Sequence, residues 1–235
     1  MTDSGQLADL YPFLYGKRQD PRAVDAALRD SLRLKAADHL AVAEDFFAAN
    51  GQALVEAART LAEVFRGNGK LLTMGNGGSS CDAAHVAVEF LHPVTAGRPA
   101  LTAINLASDV AMLTAVGNDV GPGHVFVRQV IALGQPGDCL LGLSTSGNSD
   151  NLIRAFAKAK AMGLKTVGFA GMDGGAMAEA GLDHLLVVAT DSIHRIQECH
   201  VAAYHILWDL VHTLLADERG GVAPAGPGAG EDPPA

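Results

Sequence analysis

The chain has little positive charge, few aromatic residues and almost no cysteine chemistry to offer. Its 235 residues carry 17 Lys and Arg against 26 Asp and Glu, a net charge of −9, and no run of basic residues. Binding to a nucleic-acid backbone or an anionic membrane surface needs concentrated positive charge, so neither is expected. The three cysteines, Cys81, Cys139 and Cys199, are widely spaced and form no CxxC pair, so no disulfide framework is implied and a reducing compartment is expected. No apolar run reaches the roughly 18 residues that would span a bilayer, and residues 1–20 lack a basic segment followed by an apolar one. A soluble protein of the cytoplasm is the expectation.

Hydrophobic residues make up 49% of the chain, while aromatics supply only 5%. Ala and Gly are abundant, as where helices pack closely on a parallel sheet. From Pro21, apolar residues Val24, Ala27, Leu28, Leu32, Leu34 and Leu40 recur at helical intervals. Asn50-Gly51 is expected to break this helix, and a second is expected over 52–66, ending at Gly67-Asn68-Gly69. That predicts an N-terminal helical hairpin whose apolar faces need a partner. Short apolar runs then alternate with helical stretches: 71–74, 101–106, 138–143, 165–169 and 184–188 read as strands. Helices are expected near 80–91, 110–115, 123–133, 149–162 and 175–180, with a last one over 193–216. The alternation implies an α/β fold with a parallel sheet of five strands flanked by helices on both faces. The expected organisation is an arm over 1–20, one domain over 21–219, and a disordered Gly/Pro/Ala tail over 220–235.

Two loops stand where an open parallel sheet binds ligands. Gly75-Asn76-Gly77-Gly78-Ser79 follows the first strand and opens a helix, with neither dinucleotide nor Walker spacing. Ser144-Thr145-Ser146-Gly147-Asn148-Ser149 gathers four hydroxyls at another helix start, more than one N-cap requires. It reads as a phosphate cradle. His85 and Glu89 are one turn apart on the helix after the first loop, a spacing that can chelate a metal or place a base beside an imidazole. In the last helix Gln197 and His205 are eight residues apart, about 12 Å along an ideal axis. They reach one site only if the first turn is unwound or if two subunits combine. His212 reads as an ordinary exposed or half-buried histidine.

These segments resemble the signatures of the phosphoheptose isomerases, a branch of the sugar isomerase (SIS) domain family. The match runs through Gly75–Ser79, Cys81-Asp82-Ala83, the His85/Glu89 pair, Gly117-Asn118-Asp119, Leu140–Ser149 and Arg195-Ile196-Gln197-Glu198 with His200 and His205. The resemblance implies a doubly wound SIS fold assembled as a homotetramer, with active sites between subunits. It implies aldose–ketose isomerisation of a phosphosugar, with Glu89 and His205 as catalytic base and acid. It further implies one zinc ion per subunit on His85, Glu89, Gln197 and His205. Substrate contacts are implied at Asn76, Gly77, Gly78, Glu89, Asn118, Asp119, Ser144, Thr145, Ser146, Ser149 and Gln197. Two positions depart from the family pattern. Pro93 stands where an Arg usually follows the Glu by four residues, and His194 where an Asp often precedes the Arg-Ile-Gln-Glu stretch. The alternatives are an isomerase of another phosphosugar, or a non-catalytic SIS protein that binds a partner such as the replication initiator DnaA.

Overall fold

The computed structural model describes residues 21–95 and 97–217, so the arm and tail expected over 1–20 and 220–235 lie outside the described residues. The first compact unit, Met1–Ala41, contributes only helix to this range. There Arg29 pairs with Asp25 one turn earlier at 2.9 Å, and Leu28, Leu32, Leu34 and Leu40 are exposed.

The helical hairpin is not formed. A single helix, α1 (Pro21–Arg66), passes through Asn50-Gly51 without interruption. The pair sits among good helix formers, Ala48, Ala49, Gln52, Ala53 and Leu54, and one Gly costs a helix only about 1 kcal/mol. Burial supplies more than that, because Phe46, Leu54, Ala57, Ala58 and Leu61 all lie in the core. Asn50 gains a role of its own. Its Nδ2 donates to the carbonyls of Phe46 at 2.9 Å and Val187 at 3.2 Å, and its Oδ1 accepts from the Val187 amide at 3.1 Å. The side chain thus pairs backbone groups on the open edge of the last strand, where a row of unpaired amides and carbonyls is otherwise exposed.

In the unit from Val42 onward the order continues β1 (Leu71–Gly75), α2 (Gly78–Leu91), β2 (Ala103–Asn105), α3 (Val110–Asp119), a 3-10 turn (Pro122–His124) and α4 (Val125–Leu133). It ends with β3 (Cys139–Ser144), α5 (Asp150–Ala161), β4 (Lys165–Gly171), α6 (Gly175–Glu179), β5 (His184–Val188) and α7 (Ile193–Asp217). The five strands are all parallel, in the order β2-β1-β3-β4-β5. Side chains alternate across the sheet. Leu71, Cys139, Leu141, Leu143, Val167 and Phe169 share one core with α1, α2 and α7. Leu72, Met74, Leu140 and Ala170 share the other with α3, α4 and α5. Both faces are therefore covered, which accounts for strands that are apolar throughout.

The strand order decides where a ligand can sit. From β1 the chain steps outward to β2, and from β3 it proceeds the other way, so the loops after β1 and β3 part and leave a crevice at the carboxyl end of the sheet. Those are the two loops singled out by composition. No helix among the described residues is long and apolar enough to cross a membrane.

Candidate active site

The two loops are tied to each other across the switch point. Asn76, after β1, and Asn151, in the first turn of α5, exchange side-chain amide hydrogen bonds in both directions, each 2.9 Å. The hydroxyl loop is not organised as a simple cap. Ser149 precedes α5 but its side chain caps no amide; its Oγ lies 3.0 Å from that of Ser144, a buried residue. Ser146 Oγ accepts from the Asn148 amide at 3.2 Å. The chain turns at Gly147, where φ is 65° and an added Cβ would lie 2.0 Å from the Gly174 carbonyl oxygen. Only glycine fits there. The result is a tight bowl of hydroxyls at the positive end of a helix dipole, a setting suited to a phosphate.

His85 and Glu89 project from α2 one turn beyond the first loop. His85 Nε2 is 3.1 Å from Glu89 Oε1, and His205 of α7 closes on them, its ring centroid 4.9 Å from that of His85. One ligand atom from each of His85, Glu89 and His205 lies within 4.8 Å of the others. Two aromatic residues of α7 hold this group from below. Tyr204, buried in the core, places its hydroxyl 2.7 Å from His85 Nδ1. Trp208 donates its indole N–H to the Glu89 carbonyl at 2.8 Å. That bond also satisfies a helix end, whose last carbonyls have no partner within the helix. Val88 receives the His92 amide, Phe90 the Leu101 amide, and Glu89 the indole. Above Trp208 the Arg98 guanidinium stacks 4.3 Å from the ring centroid and reaches Asp209 at 2.5 Å.

Gln197 does not join the His85, Glu89 and His205 group within this chain. The first turn of α7 is regular helix rather than unwound. The Gln197 amide lies against Gly78, whose Cβ, if it had one, would meet Nε2 at 2.3 Å. It also faces the Asp82 carboxyl group. Burial pushes the Asp82 carboxyl above its usual range, the Gln197 amide and the nearby His85 partly offset that push, and its Oδ2 is buried without a partner among the described residues. Asn118 and Asp119, at the end of α3, are exposed and bonded to each other at 2.8 Å. No described hydrogen bond links them to the His85 group. Thr145 lies at the end of β3 beside the other hydroxyls, half-buried.

Several residues that shape the site carried no signal in the sequence. Tyr204 and Trp208 stand on an ordinary apolar helix face, and only their polar tips distinguish them from core residues. His212 is buried rather than exposed or half-buried. It is packed against Phe90 and Trp208 with neither ring nitrogen bonded among the described residues, and burial pushes it down to about 4. His200 is wholly buried, gives Nε2 to the Ala170 carbonyl at 3.1 Å, and is likewise pushed down to about 4 by burial.

Comparison with known proteins places this arrangement. The SIS domain model matches residues 36–171. The phosphoheptose isomerase of Desulfovibrio desulfuricans is 44% identical over 201 residues, covering 85% of this chain and 94% of that protein. That of Helicobacter pylori strain P12 is 45% identical over 166 residues, covering 71% and 86%. Among solved structures, phosphoheptose isomerase GmhA from Neisseria gonorrhoeae superposes with a TM-score of 0.74 at 36% identity, covering 79% of this chain and 99% of that one. The enzyme from Francisella tularensis gives a TM-score of 0.75 at 34% identity, covering 78% and 97%. Agreement in sequence and in fold, over nearly the whole of each relative, means that this chain belongs to the phosphoheptose isomerase family of SIS-domain proteins.

Proposed function

We propose that the protein is an aldose–ketose isomerase that converts sedoheptulose 7-phosphate to D-glycero-D-manno-heptose 7-phosphate through an enediol. The observation that carries this reading is a carboxylate, Glu89, and an imidazole, His205, brought together from two helices, in a chain that also gathers the hydroxyls of Ser144 and Ser149 at a helix start. Ser144, Thr145, Ser146 and Ser149 hold the phosphate, and the fixed distance from that anchor sets which carbon atoms meet the acid and base. Asn76, Gly77, Gly78 and Gln197 line the sugar, with Asn118 and Asp119 contributing at its far end. Glu89 removes the proton from the carbon beside the carbonyl. His205 supplies a proton to the carbonyl oxygen, and the two exchange roles as the new carbonyl forms on the neighbouring carbon.

The His85, Glu89 and His205 donor set, two imidazoles and a carboxylate, suits a divalent ion such as zinc. When bound there, such an ion supplies Lewis-acid polarisation of the carbonyl. Gln197 would add a fourth ligand only by swinging away from Gly78, or from another subunit. The protein works in the cytoplasm as a homotetramer. The exposed leucines Leu28, Leu32, Leu34 and Leu40 in the first unit support self-association.

The test is turnover of sedoheptulose 7-phosphate by metal-replete protein, read by appearance of the aldose. Glu89→Gln and His205→Gln should each lower kcat by roughly 10²–10⁴-fold with KM changed little. No turnover of any ketose phosphate by the wild type would end the enzyme reading and leave a binding role.

A further inference from the structure

His85 has a different partner on each ring nitrogen, and this constrains its protons. Nδ1 faces the Tyr204 hydroxyl at 2.7 Å, and Nε2 faces Glu89 Oε1 at 3.1 Å. Tyr204 is 2% exposed, its ring stands edge-on to the imidazole, and its hydroxyl has no other hydrogen-bond partner among the described residues. A neutral imidazole carries one ring proton, whereas a tyrosine hydroxyl both donates and accepts. Two neutral tautomers are compatible with the Tyr204 contact, and they differ at Nε2. In one, the Tyr204 O–H donates to Nδ1, and Nε2–H donates to Glu89. In the other, Nδ1–H donates to the Tyr204 oxygen, and the Nε2 lone pair is bare toward Glu89 and His205. Only the second leaves Nε2 able to hold a cation.

We propose that Tyr204 is a positioning residue that sets the tautomer of His85: it holds the ring with the proton on Nε2 while the site is free of metal, and accepts the proton on Nδ1 when a divalent cation takes Nε2. This rests on the reading of His85, Glu89 and His205 as a cation site. The exchange moves one proton from Nε2 to Nδ1 through solvent, which reaches the His85 side chain, 42% exposed. Neither ring has to move; only the hydroxyl hydrogen turns. A backbone carbonyl in place of the hydroxyl would permit only the second tautomer, and a phenylalanine would leave Nδ1 unpaired in both. Ring nitrogens of metal-binding histidines are commonly held by such outer partners, and losing one weakens affinity by roughly 10–100-fold.

The experiment has two readouts, neither of which is activity. Nitrogen-15 NMR of wild-type protein, before and after one equivalent of Zn2+, should show His85 with its proton on Nε2, moving to Nδ1 when the ion is added. A metal-free protein already in the Nδ1–H form would overturn the proposal, and this measurement needs no variant to fold. Calorimetric titration with Zn2+ should give a Kd for Tyr204→Phe that is 10–100-fold weaker than wild type, with His85→Gln weaker still. A Tyr204→Phe Kd within twofold of wild type would overturn it as well. If wild type takes up no Zn2+, the proposal and the metal centre fall together. Turnover of sedoheptulose 7-phosphate by that same sample then separates this failure from failure of the isomerase reading.

Discussion

Trp208 and Glu89 are joined by a hydrogen bond of 2.8 Å from the indole N–H to the backbone carbonyl. The bond holds the end of α2 against α7 at the residue whose side chain serves as the proposed base. Trp208→Phe keeps an aromatic ring in the core but removes the donor. The expected loss of stability is about 1–2 kcal/mol, from a broken buried bond and a smaller ring. Because a base displaced by a fraction of an ångström loses its attack geometry, kcat should fall by roughly tenfold or more while KM stays near wild type. Steady-state kinetics beside a urea melt would check both, and unchanged kcat would remove Trp208 from any positioning role.

The hydroxyl loop depends on Gly147. A methyl group there meets the Gly174 carbonyl oxygen, and φ is already in the left-handed region. Gly147→Ala should open the bowl formed by Ser144, Ser146 and Ser149. KM for the phosphosugar and the inhibition constant of inorganic phosphate should both rise by roughly tenfold, the equivalent of one lost anion contact. Equal phosphate affinity in a folded variant would place the phosphate elsewhere.

Asn50 and Gly51 are adjacent, yet opposite effects are expected from replacing each with alanine. Asn50→Ala strips the pairing groups from Val187 and should lower stability by about 1–2 kcal/mol. Gly51→Ala adds a Cβ that meets nothing within 4 Å and should raise stability by about 1 kcal/mol. Urea midpoints of the two variants decide it, and a stabilised Asn50→Ala would mean that β5 does not rely on that side chain.

His200 makes stability depend on pH. Burial holds it at about 4 in the folded protein, against the ordinary 6.5 when unfolded. The unfolded chain therefore binds the extra proton first. Stability is intact above pH 6.5 and falls as the pH drops from there toward 4, by roughly 3 kcal/mol from this residue alone. His200→Gln should flatten that part of the stability curve in thermal melts followed from pH 7 to pH 4. A variant with the same slope as wild type would shift the effect to other groups, His212 first among them.

The α1 helix shows where sequence reading met its limit. Asn-Gly is a strong local break signal, and locally the expectation of a hairpin was sound. What reversed it was the edge of β5, more than a hundred residues away, where Val187 gives Asn50 two hydrogen bonds. Gln197 is a second case. Its separation from His205 along an ideal helix was legible, but its place against Gly78 and Asp82 was set by how α7 crosses the first loop.

Local periodicity and punctuation determined the elements: five apolar strands, the helices between them, and the two loops that open helices without matching nucleotide motifs. Spacing determined that His85 and Glu89 share a face, because a helix returns to the same side every 3.6 residues. Spacing could not place His205 beside them, which only the family resemblance implied, nor Tyr204 and Trp208 beneath them, since all three come from a helix more than a hundred residues onward. Only the packing of α7 on α2 brings those groups together, and only the order β2-β1-β3-β4-β5 parts the loops after β1 and β3. Contacts of that range are set by which apolar faces must be buried together, and no local pattern along the chain records them.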